Sequence, residues 1–500
     1  MNRSSAFSNR DVLLSALSGL LYGFCQPGLD LWPLGWFCLL PLILSVQGKG
    51  PREAFLAGLL GGTVAFLTTC YWIIVAVNRY GGIALPGAFA VLLLLCLYLG
   101  SYWGVFCLGL LYLRGMRLVL GGSALWVILE YVRGHLLSGF PWAMLSHSQW
   151  KVLPLLQVLD LTGAYGLSFL LCAVNLSLYL FLTNPRGEWK AFALTMALCG
   201  VVLGYGFFKL KGPPPEAPFK VGIVQGNVDQ SEKWNRNLRE KILQVHEALT
   251  VKILKENPHL ILWPETSFPG YFPKDELSGK MIELSREGKI PMLFGSLREE
   301  SGRVYNSAFL ISQGRIRGHY DKVHLVPFGE YLPFRDLLED LFGSFEEAVP
   351  GDISPGRTIE VFETPLGRFS VLICFEIIFP ELSRSATRRG ADFLVTITND
   401  AWFGKTSAPY QHLAQAVLRA VEVRRWVLRA ANTGVSAVID PRGRIIAESP
   451  LFKRLAFTAP FGLSDERTIY MRLGDWFPGL SILLFILSAS PPRRGHGRSS

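Results

Sequence analysis

The sequence predicts two structural classes in one chain: an α-helical membrane bundle and, after it, an α/β domain whose sheet is covered by helices. Half of the 500 residues are hydrophobic, and the excess is concentrated between Leu13 and about residue 210. Beyond Pro213, short apolar runs typical of strands alternate with helical patterns, as expected of an α/β domain. A chain of this length also usually forms more than one domain.

The membrane part consists of long apolar stretches separated by short polar breaks. A transmembrane helix needs about 20 apolar residues. Eight apolar stretches are candidate spans, the first and fifth of them short: 12–26, 31–47, 54–77, 84–113, 118–132, 160–183, 190–208 and 476–487. We therefore predict a membrane bundle over 1–212, a C-terminal transmembrane helix over 473–490 and a basic cytoplasmic tail over 491–500.

The distribution of charge predicts the orientation of the chain. The formal net charge is +10, yet residues 213–472 hold 33 Lys and Arg against 32 Asp and Glu. The positive excess therefore lies in the membrane part and the tail, as the positive-inside rule describes, and not on a nucleic-acid-binding face. We predict no nucleic-acid partner, a cytoplasmic N-terminus and a globular segment on the outer side. The basic residues assigned to cytoplasmic segments are Arg3, Arg10, Lys49, Arg52, Arg114, Arg117, Arg186, Lys190, Arg493, Arg494 and Arg498.

Residues 213–472 form the predicted globular domain, and the stiff segment Lys211–Pro215 marks its boundary with the bundle. Several predicted strands are almost wholly apolar, which indicates a sheet covered by helices. The predicted strands are Phe219–Gln225, Leu260–Trp263, Met292–Leu297, Val304–Ile311, Phe369–Cys374, Phe393–Thr398 and Thr433–Ile439. The predicted helices are Glu232–Lys255, Asp275–Glu287, Pro380–Arg388 and Tyr410–Arg429.

Reactive and polar side chains stand at the ends of three predicted strands. One strand ends in Trp263–Glu265, another in Cys374–Glu376 and a third in Asn399–Phe403. The segment Tyr320–Glu330, which contains a lysine, lies between the first two. Ligand sites in α/β sheets gather at the carboxyl ends of strands, so we expect a site here.

Cys374 is the only cysteine in the last 300 residues, so it has no partner for a disulfide within its domain. A cysteine nucleophile needs a base or a nearby cation, and acyl transfer needs a positive group where the oxyanion develops. Glu265, Lys322 and Cys374 supply one group of each kind. Taken singly, Glu265 also fits a turn cap, Lys322 a surface lysine and Cys374 a buried structural thiol.

These motifs, in this order and inside a membrane frame, resemble bacterial apolipoprotein N-acyltransferase. The motifs are W-P-E, D-K-x-H-L-V-P-F-G-E, C-F-E and N-D-A-W-F. The resemblance implies an α/β nitrilase-like αββα sandwich on the periplasmic side of the bacterial inner membrane. It also implies that Glu265 is the base, Lys322 the electrostatic stabiliser and Cys374 the nucleophile.

The implied reaction has two halves and needs no metal or organic cofactor. Cys374 would take an acyl chain from a phospholipid donor of the surrounding membrane lipid, forming a thioester. The N-terminal amine of a diacylglyceryl-cysteine lipoprotein, the acceptor, would then attack that thioester. Water in place of the amine would make the protein a membrane-anchored carbon-nitrogen hydrolase, an amidase or nitrilase. A bundle of several spans argues against that alternative, because one anchor would suffice for a soluble substrate.

The resemblance implies further site residues with supporting or substrate-binding roles. For Glu330 and Glu376 the alternative is a role as structural ion-pair partners. For the segment Asn399–Phe403 the alternative is a plain Asx turn. Relatives commonly carry Tyr where Phe375 stands, so no hydroxyl acts at that position. The supporting residues are Glu330, Glu376, Phe375, Trp234, Asn399 and Trp402.

Residues 335–345 carry Leu and Phe at helical spacing. Such a pattern normally marks a helix packed on the core. Our hypothesis is a mobile, membrane-facing arm that admits lipid chains, with Tyr271 and Phe272 as a second apolar lip.

A transporter with an outer domain is the alternative from another class. Charged residues inside spans mark transport paths, and they are sparse here, with Glu130 and Asp160 the clearest. The histidines show no metal-binding spacing, so we predict no metal site.

Overall fold

The computed structural model describes residues 7–230, 232–233, 235–333 and 353–490. The part before Lys211 is almost entirely helical, because a helix satisfies the backbone hydrogen bonds of an apolar segment internally. Its helices are α1 (Asn9–Cys25), α2 (Leu40–Ser45), α3 (Pro51–Cys70), α4 (Ile73–Val75), α5 (Leu85–Leu110), α6 (Gly115–His135), α7 (Leu153–Leu156), α8 (Leu159–Thr162), α9 (Ala164–Thr183) and α10 (Pro185–Leu210).

Five helices in the described ranges are long and apolar enough to cross a membrane: α3, α5, α6 with the turn after it, α9 and α10. The prediction of about eight spans is therefore supported only in part. Helix α1 has 17 residues. The predicted second stretch divides into a 3-10 turn and α2, because Pro33 and Pro41 each begin a new helical piece. The predicted C-terminal span forms a helix of 14 residues, Trp476–Ala489.

Helices α3 and α5 approach each other through small residues. A Cβ atom at Gly62 of α3 would lie 2.7 Å from the Gly100 Cα and 2.8 Å from the Trp103 Cγ of α5. A larger side chain at Gly62 would therefore force the helices apart. Backbone contact through glycine is typical of membrane helices, where van der Waals packing drives association.

The α/β domain contains two six-stranded sheets with helices on their outer faces. The strands are β1 (Phe219–Gln225), β2 (Leu260–Leu262), β3 (Met292–Glu300), β4 (Arg303–Ser312), β5 (Arg315–Asp321), β6 (Phe362–Thr364), β7 (Gly367–Ile373), β8 (Phe393–Thr398), β9 (Trp426–Ala431), β10 (Ala437–Ile439), β11 (Ile445–Glu448) and β12 (Leu455–Phe461). The sheets have the orders β12-β1-β2-β3-β4-β5 and β11-β10-β9-β8-β7-β6. The remaining helices are α11 (Arg239–Leu254), α12 (Ser278–Gly288), α13 (Pro380–Arg388), α14 (Ala408–Val423), α15 (Ile469–Leu473) and α16 (Trp476–Ala489).

The alternating side chains of β2 show how the helix and sheet layers of the α/β domain pack together. Leu260 and Leu262 of β2 share a buried cluster with Val371 of the second sheet, whereas Ile261 between them packs with the residues beneath α11 and α12. Because side chains alternate across a strand, both faces of β2 are buried and its sequence is wholly apolar. The nitrilase-like αββα arrangement agrees with the predicted fold class of this domain.

The predicted helix over Tyr410–Arg429 is wrong at its C-terminal end. Helix α14 ends at Val423, and Arg424 adopts a left-handed conformation with φ 48°. Strand β9 then begins at Trp426 and pairs in parallel with β8. A buried strand and a buried helix have the same apolar composition, so the boundary carried no compositional signal.

Helix α14 lies between the second sheet and the membrane bundle. Near its start, Gln411 Nε2 donates to the Thr69 carbonyl at 3.0 Å, and Trp142 Nε1 donates to Gln411 Oε1 at 2.7 Å. Just beyond its end, Arg424 forms a buried ion pair with Asp160 at 2.7 Å. Both ends of α14 are therefore attached to the bundle through polar contacts.

Candidate active site

Cys374 stands where β7 ends and a 3-10 turn begins. Its φ is 54°, a left-handed conformation that is uncommon for a residue with a side chain and is often found at functional sites. The side chain is 9% exposed. The thiol is therefore held on a sharp turn at the carboxyl end of a buried parallel strand.

Glu265 follows β2 after Trp263 and Pro264 and is 7% exposed. Its Oε1 accepts a hydrogen bond from Asn306 Nδ2 at 2.7 Å, and its Oε2 accepts one from the Asn399 backbone N–H at 2.9 Å. Both oxygens therefore have donors, and these donors come from the two different sheets.

Lys322 follows β5 and is almost fully buried. Its Nζ lies 3.6 Å from Glu265 Oε1 and 2.9 Å from Glu330 Oε2. Burial alone lowers the pKa of Lys322, but the charges of Glu330 and Glu265 outweigh this effect and hold the pKa above its usual value. The lysine is therefore a fixed positive charge between two carboxylates.

The three residues predicted as the catalytic set share one electrostatic environment. Burial and the negative charge of Glu265 raise the pKa of the Cys374 thiol, and Lys322 offsets them only in part. The thiol is therefore protonated near neutral pH. A reaction at its sulfur requires a base to remove the proton as the sulfur attacks.

Glu330 is placed directly against the lysine. Its Oε1 accepts from Lys322 Nζ at 3.0 Å and from Asn306 Nδ2 at 2.8 Å, and its Oε2 accepts from the Val326 backbone N–H at 2.8 Å. Asn306 of β4 therefore joins Glu265 to Glu330 through one amide group. Asn306 was not predicted, because an asparagine inside a strand gives no signal until strand register places it beside the two glutamates.

Glu376 is fully buried and binds chain segments rather than a cation. Its Oε1 accepts from Tyr320 Oη at 2.7 Å and from the backbone N–H of Val323 and His324 at 2.7 and 3.1 Å. Its Oε2 accepts from the Ile373 N–H at 2.7 Å. Burial raises the pKa of Glu376 to about 7 against the effect of these bonds. Glu376 thus connects the loop after Lys322 to the strand before Cys374.

The other predicted residues have varied positions. Phe375 is half-buried beside His324 and Phe379, with ring centroids 6.0 and 5.2 Å away. The Asn399 side chain accepts from Asn432 Nδ2 at 2.9 Å. Trp402 contacts Tyr80 of the bundle, 5.2 Å between ring centroids. It therefore lies where the domain meets the membrane helices.

Two predictions fall outside the described residues, and one residue was misplaced. Trp234 and residues 335–345 are not among the residues described. Tyr271 is 41% exposed, but Phe272 is 1% exposed and packs against Phe294 and Phe309. The inclusion of Phe272 in an exposed lip was wrong, because the aromatic core takes up its side chain.

His412 contacts the backbone of Cys374 and was also not predicted. Its Nε2 lies 3.0 Å from the Cys374 carbonyl oxygen, and its Nδ1 lies 2.9 Å from Asp400 Oδ1. Arg429 Nη2 donates to Asp400 Oδ2 at 2.7 Å and approaches His412 Nδ1 at 3.1 Å. Burial and Arg429 lower the pKa of His412. A protonated ring donates to both acceptors, while a neutral ring can accept from Arg429 and still donate to Cys374.

Among the residues described, no group of three or more His, Cys, Asp or Glu side chains is arranged to hold a metal ion. Lys233 is a further buried cation at the site and donates to the Glu265 carbonyl at 2.9 Å. Burial lowers its pKa to about 8. The site therefore combines a thiol, carboxylates and ammonium groups.

The comparisons with known proteins agree with both parts of the structure. Residues 220–465 match the family model of the carbon-nitrogen hydrolases. Residues 18–177 match the apolipoprotein N-acyltransferase N-terminal domain. The protein is thus an enzyme with a nitrilase-type α/β domain joined to an apolar helical domain, which makes it a membrane protein.

The chain belongs to the apolipoprotein N-acyltransferase family. It is 41% identical over 491 residues to the apolipoprotein N-acyltransferase of Geobacter metallireducens, with 94% of this chain and 93% of the relative covered. It is 33% identical to that of Azotobacter vinelandii, with 94% and 93% covered. An amidase of the nitrilase superfamily from Nesterenkonia AN1 shares 19% identity and a TM-score of 0.39, over 52% of this chain and 96% of the amidase.

Proposed function

We propose that this protein transfers a fatty acyl chain from a phospholipid, through a thioester on Cys374, to the N-terminal amine of a diacylglyceryl-cysteine apolipoprotein. The observation that carries the proposal is the assembly of Glu265, Lys322 and Cys374 in one buried site, on a domain attached to membrane helices. This arrangement supports covalent acyl transfer next to a lipid surface.

In the first half-reaction, Glu265 takes the proton from Sγ as the sulfur attacks the ester carbonyl carbon of the phospholipid. The oxyanion that develops lies beside the Lys322 ammonium, which stabilises it in this water-poor site. The carbon–oxygen bond then breaks. The lysophospholipid leaves as an alcohol with the proton from Glu265, and the acyl group stays on sulfur.

In the second half-reaction, the amine of the lipoprotein attacks the thioester carbonyl. Glu265 accepts the proton from the attacking nitrogen, and Lys322 again faces the oxyanion. The carbon–sulfur bond breaks, and Cys374 recovers its proton. The product is an amide. Glu330 keeps the lysine in place, and Glu376 and His412 hold the two chain segments that carry Lys322 and Cys374.

The proposed topology follows the charge distribution. The bundle covers 1–212, the catalytic domain 213–472, the C-terminal transmembrane helix 473–490 and the cytoplasmic tail 491–500. Eight apolar segments bring both ends of the chain to the cytoplasmic side of the inner membrane. The catalytic domain then faces the periplasm, and its donor is the adjoining leaflet.

Mass spectrometry of the intact protein tests the proposed function. Incubation with phospholipid should add one acyl mass to Cys374, and Cys374→Ala should abolish the adduct. A diacylglyceryl-cysteine peptide with a free amine should then remove the acyl group and gain it as an amide. Hydrolysis of a small amide without any acyl adduct would instead identify a carbon-nitrogen hydrolase and refute the proposal.

A further inference from the structure

A polar cavity lies at the edge of the second sheet, at the opposite end of β7 from Cys374. Its volume is about 600 Å³, and we call it the arginine cavity. It is bordered by residues at or just before the starts of β7, β8 and β9. Because β7 has seven residues, the two ends of that strand are about 20 Å apart. The cavity is lined by Arg368, Arg388, Arg389, Arg425, Arg467 and Arg472, together with Asp392 and Asp465.

Two of the arginines have structural partners. Arg368 pairs with Asp392 at 3.3 Å. Arg425 is buried, and its guanidinium donates to the carbonyls of Ala391 and Glu466 at 2.8 and 2.7 Å. These contacts explain why both residues are present without any ligand.

The other four arginines are exposed: Arg388, Arg389, Arg467 and Arg472. Within the residues that the structure describes, none of their side chains has an ion pair or hydrogen bond. Four guanidinium groups around one cavity repel one another, and an anion between them would relieve that repulsion. Arginine presents a planar fork of donors that matches a phosphate group.

A second cavity adjoins the arginine cavity on the side of the apolar helix α16. A neighbouring cavity of about 360 Å³ shares Arg388 and Arg389 and extends along α13 to Arg384. Arg384 stands over the Tyr470 ring at 5.8 Å and lies 3.8 Å from Asp475. Asp475 immediately precedes the apolar helix α16. Together the two cavities form a surface on which arginines outnumber carboxylates and which approaches the start of α16.

Apolar side chains accompany these arginines. Helix α15 exposes Ile469 and Leu473, at 45% and 62%, one helical turn apart, while Arg472 between them lines the cavity. Exposed apolar residues next to basic ones are typical of segments that lie in the headgroup layer of a membrane. A free anion would use the arginines but would leave these apolar groups without a partner.

We propose that the arginine cavity binds the phosphate of an anionic phospholipid headgroup, in the leaflet that adjoins the α/β domain. The lipid held there is separate from the acyl donor, because the cavity lies at the other end of β7 from Cys374. Its two acyl chains would run down beside α15 and α16. Binding of a lipid in the arginine cavity does not require the acyl-transfer reaction.

The test compares lipids on the full-length protein in a nonionic detergent, by native mass spectrometry. Phosphatidylglycerol should remain bound in preference to phosphatidylcholine. The double variant Arg388→Gln/Arg389→Gln should lower the affinity for phosphatidylglycerol by about thirtyfold and leave that for phosphatidylcholine unchanged. The matched control is Arg315→Gln/Arg317→Gln, two exposed arginines on β5, which should retain the wild-type preference.

Three outcomes would overturn the proposal: equal binding of both lipids by the wild type, equal loss in the control, or full displacement of the lipid by millimolar inorganic phosphate. The last result would assign the cavity to a free anion. Thermal melting confirms that each variant is folded, and Arg472→Gln serves as a second variant if the double one is not. The Cys374 adduct, measured on the same samples, tests the proposed function independently.

Discussion

The amide of Asn306 should be required for catalysis because it joins two carboxylates beside one lysine. Its Nδ2 donates to Glu265 Oε1 at 2.7 Å and to Glu330 Oε1 at 2.8 Å. Asn306→Asp keeps the shape of the side chain but replaces two donated hydrogen bonds with repulsion between oxygens. Each bond to a charged group contributes about 1.5–3 kcal/mol, and a new charge at this distance adds about 6 kcal/mol of repulsion with each carboxylate at an effective dielectric constant of about 20.

One of the three carboxyl groups then binds a proton, which reduces the repulsion. Only the remaining part raises the free energy of the transition state. We expect a loss of about 3 kcal/mol, which corresponds to a decrease of more than about a hundredfold in the rate of thioester formation on Cys374. The assay is rapid-quench mass spectrometry of acyl transfer from phospholipid. Asn306→Ala is the matched control, because it removes the same bonds without adding charge.

The pH dependence separates the two variants. Repulsion raises the pKa of the introduced carboxyl, so this group takes up a proton as pH falls and can then donate to Glu265 or Glu330. The rate of Asn306→Asp relative to the wild type should therefore rise from pH 8 to pH 5.5, while the ratio for Asn306→Ala stays flat. A wild-type rate in the Asp variant, or identical pH profiles of the two variants, would refute the role given to Asn306.

Three further predictions concern the surroundings of the site. His412→Ala should slow thioester formation more than tenfold, and His412→Gln, which retains a donor for the Cys374 carbonyl, should recover part of the rate in the same assay; no recovery would leave His412 with a general packing role. The folded-state pKa of Glu376, about 7, lies above its unfolded value, so its proton stabilises the fold below about pH 4.5 and the effect is lost as pH rises through 7. Glu376→Gln should therefore flatten the dependence of Tm on pH between 5 and 7.5, and an unchanged slope would contradict this assignment. Asp160→Asn removes the buried countercharge of Arg424 and leaves it only the exposed Glu466 at 3.9 Å, at a cost of up to about 3–5 kcal/mol. Tm should fall, and Asp160→Asn/Arg424→Met should restore part of it, whereas no loss in the single variant would show that the pair is dispensable.

The strands that carry Glu265 and Cys374 could be predicted because both of their faces are buried. Strands β1 and β8 begin and end where predicted, and helix α13 begins at Pro380, as predicted. Strand β5 was missed because its exposed residues Arg315, Ile316 and Arg317 give no apolar run. Edge strands of this kind are recognised only from their partners.

The prediction of the site reached the reactive groups but not the residues that hold them. Glu265 and Cys374 follow predicted strands, and Lys322, although it follows the missed strand β5, lies in the motif Tyr320–Glu330 between them. Asn306 and His412 act through geometry, because one bridges carboxylates across a sheet and the other bonds a carbonyl from a helix. These contacts join elements that lie 24 to 41 residues apart in the sequence, and they are set by register and packing, which a single sequence does not display.

The position of His412 gives the membrane bundle a role beyond anchoring. Its neighbour Gln411 accepts hydrogen bonds from Trp72 and Trp142 of the bundle at 3.1 and 2.7 Å, while His412 itself bonds the Cys374 carbonyl. Consecutive residues of α14 therefore connect the bundle to the backbone of Cys374. A displacement of the bundle by even 1 Å would reach Cys374 through a rigid helix. The backbone position of Cys374 is therefore linked to the membrane part, a link that a hydrolase held by a single anchor would not require.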